Sequence, residues 1–493
     1  MSALNIVLLT PRRRFIANRW GLGYQIPLGL VFLGGPLLDA GHKVQLLDND
    51  VLGWNDERLV RELAHDPPDC IFLGHTGSTA AHAVALRTAQ ALKSRFPQVV
   101  IVYGGVYPSY AAQSVLTNHL AIDMIVRGEG EATAVELAQA LATGQPTLAE
   151  VKGLTWRDGD CVRANPSRPP IVDLDQYRPG WELVDWDRYH LFGFGRAAGM
   201  QFSRGCPLIC TYCGQWNFWK RWRHRSPQKF VDELETLVRL YGVKIIWLAD
   251  ENFAADRDAA RAVLEEIVAR NLNLSLNLNM TAADVVRDAD LMGLYKRAGV
   301  DNIVMGIEAL DDAVVASVRK NNPLAISTQA VQLLRQHNIV SLVNVIYGLE
   351  EEQPATLWRT YQRLFDLDPD IFNAVYITPH FWTPAGRTVK PAQIIQPDQH
   401  LWTYRNQILH TPGLSPWQLF LGIKLTEGLF HLRPQALSRL LFGPEPRQRK
   451  ILRGYLTVGI RVVFAEVFEF FFKSHLVKQD TLAQIPSYLK TEA

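Results

Sequence analysis

The chain has 493 residues, too many for one ordinary domain of about 100–200 residues, and its 48% hydrophobic content excludes an intrinsically disordered chain. A formal net charge of +2 shows no chain-wide basic bias, so nothing in the composition indicates a nucleic-acid partner. Five cysteines are too few for a secreted disulfide framework, and the amino terminus places its apolar stretch before its basic one, the reverse of a signal peptide. We therefore expect a cytoplasmic globular protein.

The first 140 residues alternate short apolar runs with helical stretches. Each run is rich in isoleucine, valine and leucine without strict alternation, which is typical of parallel strands buried on both faces. The five predicted strands are residues 4–10, 42–50, 69–76, 98–106 and 123–131. Helical segments between them predict a doubly wound α/β domain over residues 1–140.

The carboxyl ends of these predicted strands are polar or glycine-rich. Because ligands bind at this edge of a doubly wound sheet, we predict a cofactor site there. Its candidate residues are Asp48, Gly74, Thr76, Ser78, Gly104, Gly105, Glu129 and Gly130. The alternative is that the glycines only make tight turns. A plain dinucleotide fold is not indicated, since no G-x-G-x-x-G follows the first strand.

A second β/α alternation follows a proline-rich stretch. Residues 141–195 have no sustained period, so we predict a linker with a small hairpin. Six further strands are predicted at residues 198–205, 244–252, 273–280, 302–309, 340–350 and 373–380. Six units are fewer than the eight of a full α/β barrel, so residues 196–388 are predicted to form a partial (β/α)6 barrel. Residues 389–493 lack strand patterns and are predicted to be a helical C-terminal region.

Two segments resemble membrane spans in their hydropathy. Residues 21–41 contain Gln25 and two prolines and lead into a predicted strand, so we interpret them as a buried helix. Residues 455–473 contain Arg461, Glu466 and Glu469, which are costly in hydrocarbon but acceptable on an amphipathic helix. The second segment is compatible with peripheral membrane contact, and we predict that neither segment spans a bilayer.

Three of the five cysteines, Cys206, Cys210 and Cys213, follow the first predicted barrel strand. A structural zinc site needs a fourth ligand, and a disulfide needs an oxidising compartment. His224 could complete a zinc site, but the four basic residues within 220–225 disfavour a second cation there. A [4Fe–4S] cluster held by three thiolates keeps one iron open for a further ligand. Cys70 and Cys161 belong to no motif, and Cys70 is interpreted as a buried small side chain.

This Cys-x-x-x-Cys-x-x-Cys spacing at the mouth of a partial barrel resembles that of the radical S-adenosylmethionine superfamily. The resemblance implies that the open iron binds S-adenosylmethionine, passes it an electron and generates a 5′-deoxyadenosyl radical. It also implies cofactor contacts at the ends of successive barrel strands, namely Asp250, Glu251, Asn279, Glu308 and Asn344. For each one the alternative is a polar side chain satisfied at a strand end.

An α/β sheet placed before such a barrel resembles the cobalamin-binding radical enzymes. The resemblance implies that the strand-end loops of the first domain cradle the corrin and its nucleotide tail. The Asp-x-His-x-x-Gly signature that supplies a histidine to cobalt in many cobalamin proteins is absent, since Asp48 is followed by "NDVLG" and the next histidine is His65. Cobalt would therefore have no histidine ligand from this loop.

The segment from Cys213 to Leu234, "CGQWNFWKRWRHRSPQKFVDEL", closely resembles that of the oxygen-independent magnesium-protoporphyrin IX monomethyl ester oxidative cyclase family. The resemblance implies a flat macrocyclic substrate that carries carboxylates. Trp219 or Trp222 would stack on it and Arg223 would pair with a propionate. The alternative is that the aromatic side chains pack the barrel mouth and the basic ones form a solvated face.

The implied reaction closes the fifth ring of chlorophylls without O2, for use in photosynthesis. It takes hydrogen from the methylated propionate of ring C, adds a water-derived oxygen and joins the carbon to the meso position. A flavodoxin or ferredoxin would donate the low-potential electron, and oxygen would destroy the open-iron cluster. The main alternative is a cobalamin-dependent radical methyltransferase acting on a lipid, tetrapyrrole or natural product. The intact cysteines and Glu308 argue against a third reading, a non-catalytic carrier.

Overall fold

The computed structural model describes residues 3–12, 25–75, 79–191, 195–320, 322–349 and 352–472. The N-terminal sheet has seven strands in the order β2-β1-β3-β4-β5-β6-β7, and the five predicted strands are its parallel part. A hairpin of β6 and β7 adds antiparallel to the edge at β5, so this part of residues 141–195 extends the first sheet. The strands are β1 (Asn5–Thr10), β2 (Lys43–Asp48), β3 (Cys70–Leu73), β4 (Val100–Gly104), β5 (Met124–Val126), β6 (Leu154–Asp158) and β7 (Cys161–Ala164).

Helices cover both faces of this sheet, as the continuous apolar strands predict. They are α1 (Leu28–Asp39), α2 (Asn49–Leu52), α3 (Asp56–Leu63), α4 (Thr79–Arg95), α5 (Val106–Asn118) and α6 (Glu131–Thr143). Ile71 packs with the cluster under α4 and α5, while its neighbours Cys70 and Phe72 pack with the cluster under α1 and α6. Successive strand residues point to opposite faces, so all four residues of β3 are buried, Cys70 among them as predicted.

The second sheet is the predicted six-stranded partial barrel. Its strands run parallel in chain order, β15-β14-β13-β12-β11-β8, and a two-residue antiparallel pair, β9 and β10, brackets the cysteine loop. The strands are β8 (Ala197–Met200), β9 (Ser203–Arg204), β10 (Arg223–His224), β11 (Ile245–Leu248), β12 (Ser275–Asn279), β13 (Val300–Glu308), β14 (Val340–Tyr347) and β15 (Ile371–Tyr376). The helices between them are α7 (Gln215–Trp219), α8 (Pro227–Arg239), α9 (Arg257–Ala269), α10 (Ala282–Arg287), α11 (Met292–Arg297), α12 (Asp312–Ser317), α13 (Leu324–Gln336) and α14 (Pro354–Leu367).

The C-terminal region is helical, as predicted. Its helices are α15 (Pro384–Thr388), α16 (Pro416–His431), α17 (Pro434–Phe442) and α18 (Pro446–Phe472). Each begins with a proline, whose fixed φ and missing N–H suit the first helical position. Leu452 of α18 packs against Val304, Leu342 and Ile371, so the first half of the helix lies on the barrel strands. None of the described helices is long and apolar enough to cross a membrane.

Candidate active site

The start of the cysteine loop is held by Asp250, at the end of β11. One carboxylate oxygen accepts from the N–H of Phe202 at 3.0 Å, and the other accepts from the N–H and the hydroxyl of Ser203, both at 2.5 Å. Burial raises the pKa of Asp250 to about 6, and these hydrogen bonds oppose the rise. Both oxygens accept hydrogen bonds inside the protein, so Asp250 positions the start of the cysteine loop, and its cofactor contact stays a prediction.

Gly205 turns the chain into the loop. Its φ of +94° suits glycine, and a Cβ there would lie 2.5 Å from the carbonyl oxygen of Arg221. Farther along, the N–H of Thr211 donates to the carbonyl of Val318 at 3.0 Å, which ties the loop to the far side of the barrel mouth. The cysteine loop is therefore fixed at its start, its middle and its end, where β9 pairs with β10.

The three cysteines lie together in the interior of this loop, Cys210 buried and the other two half-buried. Burial is the main cause that raises the pKa of Cys206 to about 11 and of Cys213 to about 12, and the charge of Cys210 raises both further. A group that binds all three as thiolates must displace their protons, as iron does. Among the described residues, no group of three or more His, Cys, Asp or Glu side chains is arranged to bind a single metal ion. The thiolates of a cluster bind different irons and need no such convergence, so the set fits a [4Fe–4S] cluster.

Glu308 lies at the end of β13 beside the cysteines and forms a buried ion pair. Lys320 Nζ donates to its carboxylate at 2.5 Å, and the hydroxyl of Tyr212, inside the cysteine motif, lies beside it. A β-bulge between Gly306 and Glu308 and a φ of +69° at Glu308 aim the carboxylate at the loop. Burial alone would lower the pKa of Lys320. The charge of Glu308 and its hydrogen bond together have the larger effect, so the pKa of Lys320 is raised. The sequence analysis missed Lys320, which no motif marks, and Tyr212, whose position between two cysteines was an available signal.

Two further predicted residues differ in what they face. Burial raises the pKa of Glu251 to about 7, and its charge in turn raises the pKa of Cys206 and Cys213, so this carboxylate faces the cysteine loop. The buried indole nitrogen of Trp219 lies beside it without a well-formed hydrogen bond. Asn279 instead donates to the carbonyls of Leu248 at 3.3 Å and Asp250 at 3.0 Å, which fixes the end of β11.

The two carboxylates predicted at the edge of the first sheet are also engaged within the protein. Asp48 accepts from the hydroxyl of Tyr189 at 2.8 Å, and burial raises its pKa to about 6. Glu129 lies between Arg204, at 2.9 Å, and Arg223, at 3.0 Å, all three side chains being buried. These contacts join the first sheet to the linker and the cysteine loop. Direct contact of either carboxylate with cobalamin is therefore not supported by the geometry.

The predicted glycines of this edge fall into two pairs. A Cβ at Gly74 would lie 2.9 Å from Leu30, and one at Gly130 would lie 3.0 Å from Leu33, so both glycines serve helix packing. Gly104 and Gly105 have no neighbour closer than 3.7 Å to such a Cβ, and Gly105 has a φ of +117°. They present open backbone at the end of β4, which fits the approach of a flat corrin or its tail. Thr76 and Ser78 lie outside the described residues.

The predicted substrate contacts pack inside the protein. Trp222 donates from its indole to the carbonyl of Asn252 at 3.4 Å, and Arg223 donates to the carbonyl of Trp219 at 3.0 Å besides its ion pair. The guanidinium of Arg204 lies 5.3 Å from the ring of Trp219. These contacts favour the packing alternative for the two tryptophans, which are half-buried, while the buried ion pair of Arg223 does not fit a solvated face.

A large cavity of about 1310 Å³ lies between the two sheets and the C-terminal helices. Trp54 and Arg87 of the first domain, Trp247 and Asn344 of the barrel, and Tyr455 of α18 are among its lining residues. Trp219, Trp222 and Arg223 do not line it, whereas the predicted residues Asn279 and Asn344 do. Sequence periodicity gave no signal for this space, because its walls come from three separate regions.

One wall of the cavity carries charged groups from the C-terminal region. Lys424 Nζ lies 2.7 Å from Glu427 and 2.6 Å from Glu466, and Arg405 lies 3.5 Å from Glu466. All four residues line the cavity and are shielded from bulk solvent. Two cations and two carboxylates in a partly apolar cavity can bind a ligand that is mostly apolar and bears a carboxylate.

The two domains meet at a segment that follows β15. Trp382 is 4% exposed, stacks on His380 with ring centres 4.5 Å apart, and stacks on Tyr110 of α5 at 5.8 Å. A Cβ at Gly214, directly after Cys213, would overlap its indole. Trp382 thus contacts the core of the first domain and the cysteine loop at once, a contact that the sequence analysis did not predict.

Comparison with known proteins agrees with this arrangement. The "Radical SAM superfamily" model matches residues 200–364, and the "B12 binding domain" model matches residues 22–138. An anaerobic magnesium-protoporphyrin IX monomethyl ester cyclase of Synechocystis sp. is 40% identical over 98% of this chain and 96% of its own. One of the same description from Cereibacter sphaeroides is 30% identical over 92% of this chain and 74% of its own. The chain belongs to this cyclase family.

A comparison with solved structures agrees with the two domain models in fold. The cobalamin-dependent S-adenosylmethionine radical enzyme OxsB, solved with aqua-cobalamin and S-adenosylmethionine, has a TM-score of 0.69. The two chains are 19% identical, and the match covers 94% of this chain and 73% of OxsB. The radical SAM domain implies a [4Fe–4S] cluster with S-adenosylmethionine, and the B12-binding domain implies cobalamin. The predicted cofactors and fold class are confirmed.

Proposed function

We propose that this family member is the oxygen-independent cyclase that forms the isocyclic fifth ring of (bacterio)chlorophyll from magnesium-protoporphyrin IX monomethyl ester. The observation that carries the proposal is the 40% identity to the Synechocystis cyclase over nearly the whole of both chains, C-terminal region included. That region supplies much of the lining of the cavity, so the similarity extends to the proposed substrate site.

The chain's own residues prepare the radical chemistry. Cys206, Cys210 and Cys213 would hold the cluster, and Glu251 and Glu308 would face the S-adenosylmethionine side of it. When bound, the cluster and S-adenosylmethionine supply hydrogen-atom abstraction from an unactivated carbon. Lys320 holds Glu308 in place and offsets its charge within the buried site. Gly104 and Gly105 would lie against the corrin.

The cavity suits a tetrapyrrole with one free propionate. Its volume of about 1310 Å³ falls at or above the upper end of ordinary ligand pockets, as a macrocycle beside a corrin requires. We infer that Lys424 or Arg405 binds the free carboxylate, since both line the cavity and both carry more N–H donors than the neighbouring carboxylates use. Trp54 of the first domain and Trp247 of the barrel line the same cavity and add aromatic surface to it.

The direct test is anaerobic incubation of the reconstituted protein with S-adenosylmethionine, a low-potential reductant, cobalamin and magnesium-protoporphyrin IX monomethyl ester in ¹⁸O-labelled water. We expect a product that carries the new ring and one labelled oxygen in its mass spectrum. A product heavier by one methylene would replace the proposal with a methyltransferase. Deoxyadenosine without any change in the porphyrin would point to another substrate.

Two cysteine variants separate an enzyme from a carrier. Cys210→Ser is expected to abolish deoxyadenosine formation, because one of the three thiolates that would hold the cluster is lost. Cys161→Ser is the matched control, since Cys161 is exposed at the start of β7 and should leave the rate unchanged. Equal rates in both variants would show that the cysteine loop does not hold the catalytic cluster.

We further propose that a flavodoxin or ferredoxin donates the electron and that the protein works in the cytoplasm. Support for the donor is chemical, since a radical enzyme of this class needs a low-potential electron that the chain itself does not supply. Replacing the chemical reductant with a reduced flavodoxin system should sustain turnover. Failure of both a flavodoxin and a ferredoxin would contradict this assignment.

A further inference from the structure

The C-terminal helices concentrate the exposed apolar side chains of the protein. Of the nineteen large apolar side chains exposed in the described part of the chain, twelve lie within residues 417–472. We call these twelve the apolar face; they are Trp417, Leu421, Leu425, Leu429, Leu432, Leu441, Phe442, Ile460, Phe464, Phe468, Phe471 and Phe472. A cluster of this kind on a water-facing surface is a mark of an interaction site.

Nine of the twelve side chains of the apolar face lie on two helices, α16 and α18, that pack side by side. Phe420 of α16 stacks on Phe470 of α18 with ring centres 4.1 Å apart, and Lys424 bonds Glu466 at 2.6 Å. From Phe420 to Lys424 the partner on α18 changes from Phe470 back to Glu466, so the two helices run antiparallel. The exposed rows repeat every four residues, at 417–429 on α16 and at 460–472 on α18. Phe471, one of the exposed residues of α18, lies 6.4 Å from Phe420 across the seam between their ring centres, so the two rows belong to one surface.

This surface continues into the cavity. Leu432, Ile460 and Phe464 are 58%, 47% and 73% exposed, and all three also line the cavity. An apolar molecule that approaches the apolar face therefore meets an apolar path to the interior. A surface used only for contact with another protein would not need to open into the ligand cavity.

The charge around the face has one sign. Lys450, Arg453 and Arg461 of α18 are exposed, whereas its two carboxylates, Glu466 and Glu469, are buried and half-buried. Exposed cations beside a row of phenylalanines on a helix suit the headgroup region of a bilayer that contains anionic lipids. The single exposed tryptophan of the face, Trp417, is also of the kind that favours this region.

We propose that α16 and α18 dock the protein on the surface of an anionic bilayer, from which the substrate enters the cavity. The docking itself depends only on the apolar face and its cations. The entry of a tetrapyrrole through that face rests on the proposed function. Substrate entry would then pass Leu432, Ile460 and Phe464 without crossing bulk water.

Vesicle flotation with the reconstituted full chain tests the docking. We expect binding to phosphatidylcholine vesicles that contain phosphatidylglycerol, weaker binding to phosphatidylcholine alone, and a loss of the difference at high salt. The double variant Phe468→Ser/Phe472→Ser should lower the partition coefficient about tenfold or more, because two exposed rings no longer enter the bilayer. Neither ring lines the cavity, and both are exposed, so the fold is expected to be kept.

The matched control is Leu120→Ser/Leu240→Ser, which removes two exposed apolar side chains outside the apolar face. It should leave vesicle binding unchanged. Equal losses in the two double variants, or no binding of the original protein, would overturn the proposal. Light scattering would also overturn the proposal if the original protein were a dimer and Phe468→Ser/Phe472→Ser a monomer. The apolar face would then be covered by a second copy of the chain. Binding that appears only when residues 473–493 are removed would assign the face to that segment.

The docking and the proposed function can fail separately. Vesicle binding is measured without substrate, so it stands or falls whatever the reaction is. Cyclase activity on detergent-dispersed substrate should be the same in Phe468→Ser/Phe472→Ser as in the original protein. With substrate supplied in vesicles, the variant should be slower about tenfold, in step with its lost binding.

Discussion

Glu308 holds a φ of +69°, a conformation that costs a non-glycine residue about 1–3 kcal/mol. Its ion pair with Lys320 and the bulge at Gly306 offset this cost and set the direction of the carboxylate. A Cβ at Gly306 would overlap both the Glu308 carboxylate and the Lys320 ammonium group. Both groups are at the ends of long side chains that can rotate away from a new methyl group. The fold is therefore expected to be kept, whereas the ion pair between Glu308 and Lys320 would be displaced.

Gly306→Ala is therefore expected to lower deoxyadenosine formation about tenfold or more, while the free energy of unfolding changes by less than about 1 kcal/mol. Deoxyadenosine is measured by chromatography and stability by urea unfolding. Gly199→Ala on β8 is the matched control, since a Cβ there has no neighbour within 4 Å. A large loss of stability with unchanged turnover per folded molecule would contradict this reading.

Asp48 gives a pH dependence with a definite sign. Burial raises its pKa from 3.8 to about 6, so the folded protein binds this proton more tightly than the unfolded chain does. The contribution of Asp48 to the free energy of unfolding therefore falls by about 2–3 kcal/mol as the pH rises from about 4 to about 6. It stays constant at higher pH.

Asp48→Asn should remove this dependence. Relative to the original protein, the variant is expected to gain about 2–3 kcal/mol in the free energy of unfolding between pH 4 and pH 7. Urea unfolding of the cofactor-free protein at both pH values measures the gain. Asp290→Asn, at a side chain 69% exposed, controls for the substitution itself. A gain of the same size in both variants would assign the effect to something other than burial of Asp48.

At the scale of single elements, the cysteine loop depends on one backbone conformation. Gly205 combines a φ of +94° with a carbonyl 2.5 Å from where a Cβ would stand, and that carbonyl belongs to the backbone of Arg221. Unlike a side chain, a backbone group that is fixed by the pairing of β9 and β10 cannot rotate away.

Gly205→Ala should therefore cost about 2 kcal/mol or more and shift the cysteines relative to one another. We expect the reconstituted variant to hold less than about half the iron of the original protein, with a weaker cluster absorbance. Gly199→Ala again serves as the control. Full iron content in Gly205→Ala would show that the loop tolerates a different path.

At the scale of the whole molecule, Trp382 couples the two domains. It is buried among side chains of the first domain, yet it comes from the segment after β15 and contacts Gly214 of the cysteine loop. The packing of this one side chain therefore contributes to both domains at once.

Trp382→Ala is expected to destabilise the protein by about 3–5 kcal/mol and to lower cluster retention as well. Trp382→Phe should keep most of both, since a ring still fills the space. Trp358→Ala, at a tryptophan 58% exposed on α14, is the control and should cost less than about 1 kcal/mol. Calorimetry would show the effect, and a result for Trp382→Ala equal to that of Trp358→Ala would contradict the coupling.

Much of this architecture was predictable because it depends on local patterns. Apolar runs mark each of the eleven parallel strands, and the spacing of Cys206, Cys210 and Cys213 marks the cluster loop. The roles of single polar residues were less predictable. Asp250, Glu129 and Arg223 have the chemistry of ligand-binding residues, and only their hydrogen-bond partners show that they hold the protein together.

The two β/α domains, the cluster-binding loop and the family could be predicted from the printed chain, because strand periodicity and cysteine spacing are local patterns. The partners of the buried carboxylates, the place of the cavity and the contacts of Trp382 became known only from the folded protein. Those features depend on contacts between residues far apart in the chain, such as Arg204 with Glu129, 75 positions away, or Thr79 with His380, 301 positions away. Such contacts form when the two sheets and the C-terminal helices pack together, and no local pattern encodes them.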